Sequence, residues 1–221
     1  MNVADEMRKL YEREASQYDS KYDVNVPPKT RALYAQEIAQ DLGEGAGRKA
    51  LDVGTGTGFV AGILSENGYQ VTGIDFSQNM VSVAKKNYPL ATFAKLDIEK
   101  DDQAYKNGSF DLIITRQVVG HFVDPIAAFC RWHRWLASGG QVAVIDALWS
   151  REDWEGDWKK FVDYLPLACT QTWATVSYLL RQAQFAIKAE RFLDQVNEDE
   201  AQRLVSAVKK PSVRYIVVAQ K

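Results

Sequence analysis

The stretch that most constrains this chain is Leu51-Asp52-Val53-Gly54-Thr55-Gly56-Thr57-Gly58-Phe59. An apolar run leads into three glycines at alternate positions, and an apolar helical pattern begins at once. This reads as strand, tight loop, helix, with bare backbone brought up against a ligand. The dinucleotide fingerprint would need Gly or Ala at position 59, where Phe59 stands. No Gly-Lys-Ser/Thr follows, which excludes a nucleotide-triphosphate loop.

Two acids refine the reading. Asp75 closes the next strand, 21 residues beyond Gly54, where a strand–helix–strand unit sets a carboxylate beside the loop to accept from ribose hydroxyls. Asp97 closes the third strand and is placed to accept from the exocyclic amine of an adenine. Asp52, just before the glycines, would repel a pyrophosphate but suits a ligand carrying positive charge. Together they describe a cationic, phosphate-free nucleoside.

The same rhythm runs on either side of the loop. Strands are expected at 50–53, 69–74, 91–95, 110–115 and 141–146, and helices at 59–67, 77–87 and 125–136. Ser138-Gly139-Gly140 reads as the turn into the fifth strand. Such alternation implies right-handed crossovers and a mainly parallel sheet with helices on both faces. A helix near 172–183 precedes two late strands, 185–192 and 212–219, separated by an acidic segment; being so close, they suit antiparallel pairing at one edge. The expectation is therefore an α/β, Rossmann-like, mainly parallel seven-stranded sheet with its last strand antiparallel. At 221 residues the chain fits a single domain. Within it we expect an N-terminal helical cap (1–48), a ligand-binding core (49–146), an aromatic lid (147–170) and a C-terminal helix with edge strands (171–221).

Composition closes off other classes. Charged residues make up 25% with a net charge of −2, which gives no basic stripe for nucleic acid. No apolar run is long enough for a membrane span. The N-terminus opens with Asp5, Glu6, Arg8 and Lys9 rather than a signal-peptide core. Two cysteines outside any CxxC pair and two histidines argue against a disulfide framework or a zinc site. The expectation is a cytoplasmic protein, monomer or homodimer, that takes a small-molecule substrate and no metal.

The chain resembles the class I S-adenosylmethionine-dependent methyltransferases, in particular their small-molecule branch, over residues 49–146. The resemblance rests on five ordered motifs: Leu51–Gly58, Gly73-Ile74-Asp75-Phe76-Ser77, Leu96-Asp97-Ile98, the 110–125 segment, and Leu136-Ala137-Ser138-Gly139-Gly140. It implies S-adenosylmethionine as cofactor and S-adenosylhomocysteine as product. By it, Gly54, Gly56 and Gly58 approach the methionine part and Asp75 binds the ribose. Phe76 and Met80 pack on the adenine, with Asp97 and Ile98 at its edge, and Arg116 and Gln117 lie near the sulfonium. Tyr11 and Tyr18 resemble residues of a cap that closes over the site.

His121 is the catalytic candidate. It follows the fourth strand at the sheet's carboxyl edge, where an imidazole can take a proton from a nucleophile; the plain alternative is a histidine that orients the loop or contacts the methionine carboxylate. Asp146, Trp149 and Trp154 are candidates for the acceptor, with tryptophans able to wall a cationic amine or simply to pack on the core. Three other readings stay open: a nicotinamide-dependent oxidoreductase, disfavoured by the loop spacing and by the lack of a Tyr-x-x-x-Lys pair; a protein or nucleic-acid methyltransferase; and a cofactor-binding scaffold without activity.

Overall fold

The computed structural model describes residues 3–14, 26–204 and 212–221. Its centre is a seven-stranded sheet in the order β3-β2-β1-β4-β5-β7-β6. The strands are β1 (Lys49–Val53), β2 (Gln70–Asp75), β3 (Thr92–Lys95), β4 (Phe110–Arg116), β5 (Leu136–Ala147), β6 (Ala186–Phe192) and β7 (Arg214–Gln220). β7 lies antiparallel between β5 and β6, and the other pairings are parallel. The strand order reverses between β1 and β4. Ligands of such sheets bind outside the carboxyl ends of the strands at this switch point.

The helices are α1 (Val3–Glu14), α2 (Pro28–Leu42), α3 (Phe59–Glu66), α4 (Gln78–Asn87), α5 (Pro125–Trp135), α6 (Ala174–Gln182) and α7 (Asp194–Leu204). Their ends follow local chemistry. Pro28 opens α2, and Gly43 closes it with φ of 69° and its N–H on the Ala39 carbonyl. Ser77 and Asp124 cap α4 and α5 by accepting from the Met80 and Ala127 N–H groups. One face of the sheet buries Phe129, Trp132, Trp135 and Phe185 under α5 and α6. The other buries Tyr34, Ile38, Leu64 and Ile216 under α2, α3 and α7. A smaller cluster joins Met7 and Leu10 of α1 to Trp154, Phe161 and Leu165.

Three details differ from the sequence expectation. Ser138-Gly139-Gly140 does not form a separate turn but lies inside β5, which begins at Leu136 directly after α5. The register of β4 on β5 shifts there, from Phe110 opposite Leu136 to Leu112 opposite Gln141. The chain end pins the bulged stretch, with Gln220 Nε2 on the Gly139 carbonyl and the Lys221 N–H on that of Gly140, each at 2.9 Å. The acidic segment after β6 is the helix α7; Glu200 pairs with buried Arg214 and Asp199 with Lys29, while the Gln195 N–H donates to Glu37 of α2. The aromatic segment is a run of short 3-10 turns at Arg151–Asp153, Gly156–Lys160 and Val162–Tyr164.

Candidate functional site

Three parallel strands end together at the switch point, and the glycine loop crosses their carboxyl edge. Its backbone is left-handed at Gly54 (φ 66°) and Gly56 (φ 53°). A Cβ on Gly54 would sit 2.5 Å from Cγ2 of Val118, so only glycine fits between β1 and the loop after β4. A Cβ on Gly56 would meet nothing within 4 Å: here the loop is open to a cavity. Gly58 faces away from that opening, packed on Tyr88 and Ala84 at the start of α3.

Asp52 and Asp75 tie the loop down. Asp52 is buried beneath it, where Oδ2 accepts from Thr55 Oγ1 at 2.6 Å and from the Ala61 N–H at 3.1 Å. Asp75 accepts from the Gly56 N–H at 3.0 Å through Oδ2 and from the Ser77 N–H at 2.9 Å through Oδ1. Burial pushes the Asp52 carboxyl up to about 7 and the Asp75 carboxyl up to about 6. Both sites disfavour a bare negative charge, so a cation or a set of hydroxyl donors brought to them is stabilising.

Asp75, Phe76 and Met80 line the cavity on the β2 side, and Asp97 and Ile98 line it at the end of β3. Arg116, Gln117 and His121 line it from β4 and the following turn. Arg116 stacks over Phe59, 4.7 Å from guanidinium carbon to ring centroid, and donates to Gln117 Oε1 at 2.9 Å. Gln117 carries a left-handed φ of 56°, a conformation that costs a non-glycine residue about 1 kcal/mol or more. His121 is wedged between Trp154 and Trp158, with ring centroids 5.2 and 5.5 Å away. Burial pulls its imidazole down to about 4, partly opposed by a hydrogen bond to the Val118 backbone, so the ring is neutral at pH 7.

The acceptor candidates sit further along the same edge and do not line this cavity. Asp146 is buried at the end of β5; Oδ1 accepts from the Ala147 N–H and from Trp149 Nε1, each at 2.8 Å. Its Oδ2 is buried without a partner, and burial raises its pKa. Trp154 is 8% exposed and donates its indole N–H to the Ala168 carbonyl at 2.7 Å, which makes it part of the satellite cluster under α1. Tyr18 lies outside the described residues, as does the side chain of Tyr11, whose backbone belongs to α1.

What the sequence reading left unspecified is how the N-terminal cap docks. Ala4, Met7 and Arg8 of α1 close the cavity from above, and Arg8 pairs with Asp97 at 2.5 Å. Glu12 accepts from the Gln78 N–H at 2.9 Å. In the sequence this helix is only a charged amphipathic stretch, and nothing in its spacing names Asp97 as its partner.

The residues present fit an adenosyl cofactor. A carboxylate is braced against an open glycine loop, a second carboxylate closes the β3 end, and apolar Phe76, Met80 and Ile98 stand between them. Comparison with known proteins agrees. Residues 51–144 match a family described as a methyltransferase domain. A phosphoethanolamine N-methyltransferase of Arabidopsis thaliana is 36% identical over 104 residues, 45% of this chain and 21% of that protein. A ubiquinone biosynthesis O-methyltransferase of Pseudomonas aeruginosa is 32% identical over 101 residues, 44% of this chain and 43% of that one. The chain thus spans less than half the length of either relative. Among solved structures, the [4+2]-cyclase SpnF superposes with a TM-score of 0.69 at 20% identity, covering 97% of this chain and 94% of that one; this likeness is one of fold.

Proposed function

Because residues 51–144 match a methyltransferase-domain family, we propose that the chain is a class I S-adenosylmethionine-dependent methyltransferase that transfers a methyl group to a nitrogen or oxygen nucleophile of a small molecule. The observation that carries the reading is Asp75, held by the Gly56 and Ser77 N–H groups at the mouth of a loop that is open at Gly56. S-adenosylmethionine supplies, when bound, a methyl group on a positively charged sulfur that needs no further activation. The protein's part is then to hold, align and exclude water.

In this reading Asp75 accepts from the ribose hydroxyls and Asp97 from the adenine amine, with Phe76, Met80 and Ile98 against the ring. Gly54 and Gly56 leave room for the methionine part, and Arg116 with Gln117 closes the β4 side. The neutral imidazole of His121 accepts a hydrogen bond from the nucleophile. With so low a pKa it is a weak base, so it eases proton departure toward solvent rather than keeping the proton. Both relatives act on small molecules by name, one at nitrogen and one at oxygen, which favours this acceptor class.

The test is transfer of label from methyl-labelled S-adenosylmethionine into a metabolite extract, with Asp75→Ala as control. Label in one small molecule, lost in the variant, supports the reading and identifies the acceptor. Label in protein or nucleic acid overturns the small-molecule assignment. Cofactor binding without any transfer would point to non-methylating chemistry on this fold, and absence of binding would end the proposal. His121→Ala should lower turnover about 100-fold, the lower range for loss of a proton-transfer group, and leave cofactor affinity unchanged.

A further inference from the structure

Arg8 stands between two spaces. On its inner side is the cavity of the glycine loop; on its outer side is an open crevice bordered by Lys9, Glu12, Lys95 and Lys100. Arg8, Phe76, Leu96 and Asp97 border both, so the Arg8–Asp97 ion pair forms part of the wall that divides them. Both oxygens of Asp97 are engaged: Oδ2 by Arg8 Nη2 at 2.5 Å, Oδ1 by the Glu99 N–H at 3.1 Å. Arg8 itself is incompletely matched, since its Nε is buried with no hydrogen-bond partner.

We propose that Arg8 is a gate at the adenine end of the cleft, seated where an adenine amine would donate to Asp97, and that cofactor entry requires it to swing aside. The inference rests on the adenosyl reading of the cavity. A guanidinium is planar and presents N–H groups at its edge, as an aminopurine does, so the two compete for one carboxylate. The swing leaves the charge paired. Asp5 already accepts from Arg8 Nη1 at 2.5 Å and from Lys100 Nζ at 3.0 Å, and so provides a resting place outside the cleft. The helix need not leave, because Met7 and Leu10 remain packed on the Trp154–Leu165 cluster and Glu12 stays on Gln78. Arg8 therefore sets cofactor affinity and entry rate, a role outside the motifs by which the family is recognised.

The experiment is calorimetric titration with S-adenosylhomocysteine, paired with stopped-flow tryptophan fluorescence for the association rate, on the full chain and two variants. Arg8→Met keeps the aliphatic stem and removes the competitor; affinity should rise about tenfold, as expected for a partly exposed charge-assisted pair, and association should quicken. Asp5→Asn removes the resting place, so affinity and association rate should fall. Both variants break contacts of α1, and mere loosening of the helix would move them in the same direction. Opposite signs support the gate. Unchanged or weaker binding by Arg8→Met overturns it while wild-type binding still upholds the adenosyl reading. Failure of all three proteins to bind ends that reading and the gate with it.

Discussion

The floor of the cleft and its roof are built on different physics. The floor is the glycine loop on β1 and β2, tied by buried backbone-to-carboxylate bonds from Gly56, Ala61 and Ser77 to Asp75 and Asp52. The bonds from Ala61 and Ser77 are buried; Asp52 is paired on both sides, with Gly73 and Ile114, and Asp75 with Lys95. The roof is α1, held by a small satellite cluster and by ion pairs that reach solvent, Arg8–Asp97 among them. Such pairs contribute little and exchange partners readily. The floor is thus preorganised, while the roof is the part with freedom to move, as sites with a fixed base and a low-stability cover require.

The largest expected effect lies on the floor. On the proposed reading Asp75→Asn removes the charge that would receive the ribose and turns an amide N–H toward the loop's own donors; calorimetry should show cofactor affinity falling about 100-fold, the loss of roughly two charge-assisted bonds. If the loss were less than about threefold, the floor would not be the binding element.

The two glycines separate strain from crowding. Gly54→Ala combines a left-handed backbone with a 2.5 Å approach to Val118, and should cost about 2–3 kcal/mol in denaturant unfolding. Gly56→Ala has the same backbone problem but open space, and should cost about 1 kcal/mol. Equal costs would mean that crowding at Val118 relaxes freely.

Acidity tests the same floor. The Asp75 carboxyl lies at about 6, above its ordinary 3.8, so between these values the folded protein holds a proton that the unfolded chain releases. That contribution to stability is fully present below about pH 4 and is lost as pH rises through 6, and for Asp52 through about 7. On the proposed reading ligand binding runs the other way, because it is the ionised carboxylate that would accept the ribose hydroxyls. Affinity for S-adenosylhomocysteine should fall about tenfold from pH 8 to pH 5, and Asp75→Asn should flatten that profile.

The smallest effect belongs to the roof. Leu10 is buried in the satellite cluster, yet Leu10→Ala should change global stability by about 1 kcal/mol or less, because α1 can open without the sheet unfolding. Amide exchange across α1 should accelerate in this variant while that of β1 and β4 does not. Slowing or no change in α1 would place the roof in the same cooperative unit as the floor.

How much of this was legible depends on how locally each feature is encoded. The glycine loop, Asp75 and Asp97 could be placed at the sheet's carboxyl edge because each closes or follows a strand, and the spacing of strand ends follows from a repeating strand–helix unit. The antiparallel last strand was legible in the short separation between the two late strands. The helix α7 was not, since its acids look solvated until Arg214 and the neighbouring α2 are placed against them. Nor was the extended path through Ser138-Gly139-Gly140, which Gln220 and Lys221, bonding from 81 residues away, hold in the sheet.

By itself, then, the sequence determined the elements whose causes are local: where the chain must turn, which faces are apolar, and which carboxylates arrive at the sheet's carboxyl edge. Tertiary structure alone decided how the N-terminal cap docks over that edge. A helix near the N-terminus carries no mark of where it will dock, and an exposed arginine is free to meet any acid within reach. Only packing of Met7 and Leu10 on the Trp154–Leu165 cluster brings Arg8 to Asp97, because contacts distant in the chain are fixed by shape and burial rather than by spacing.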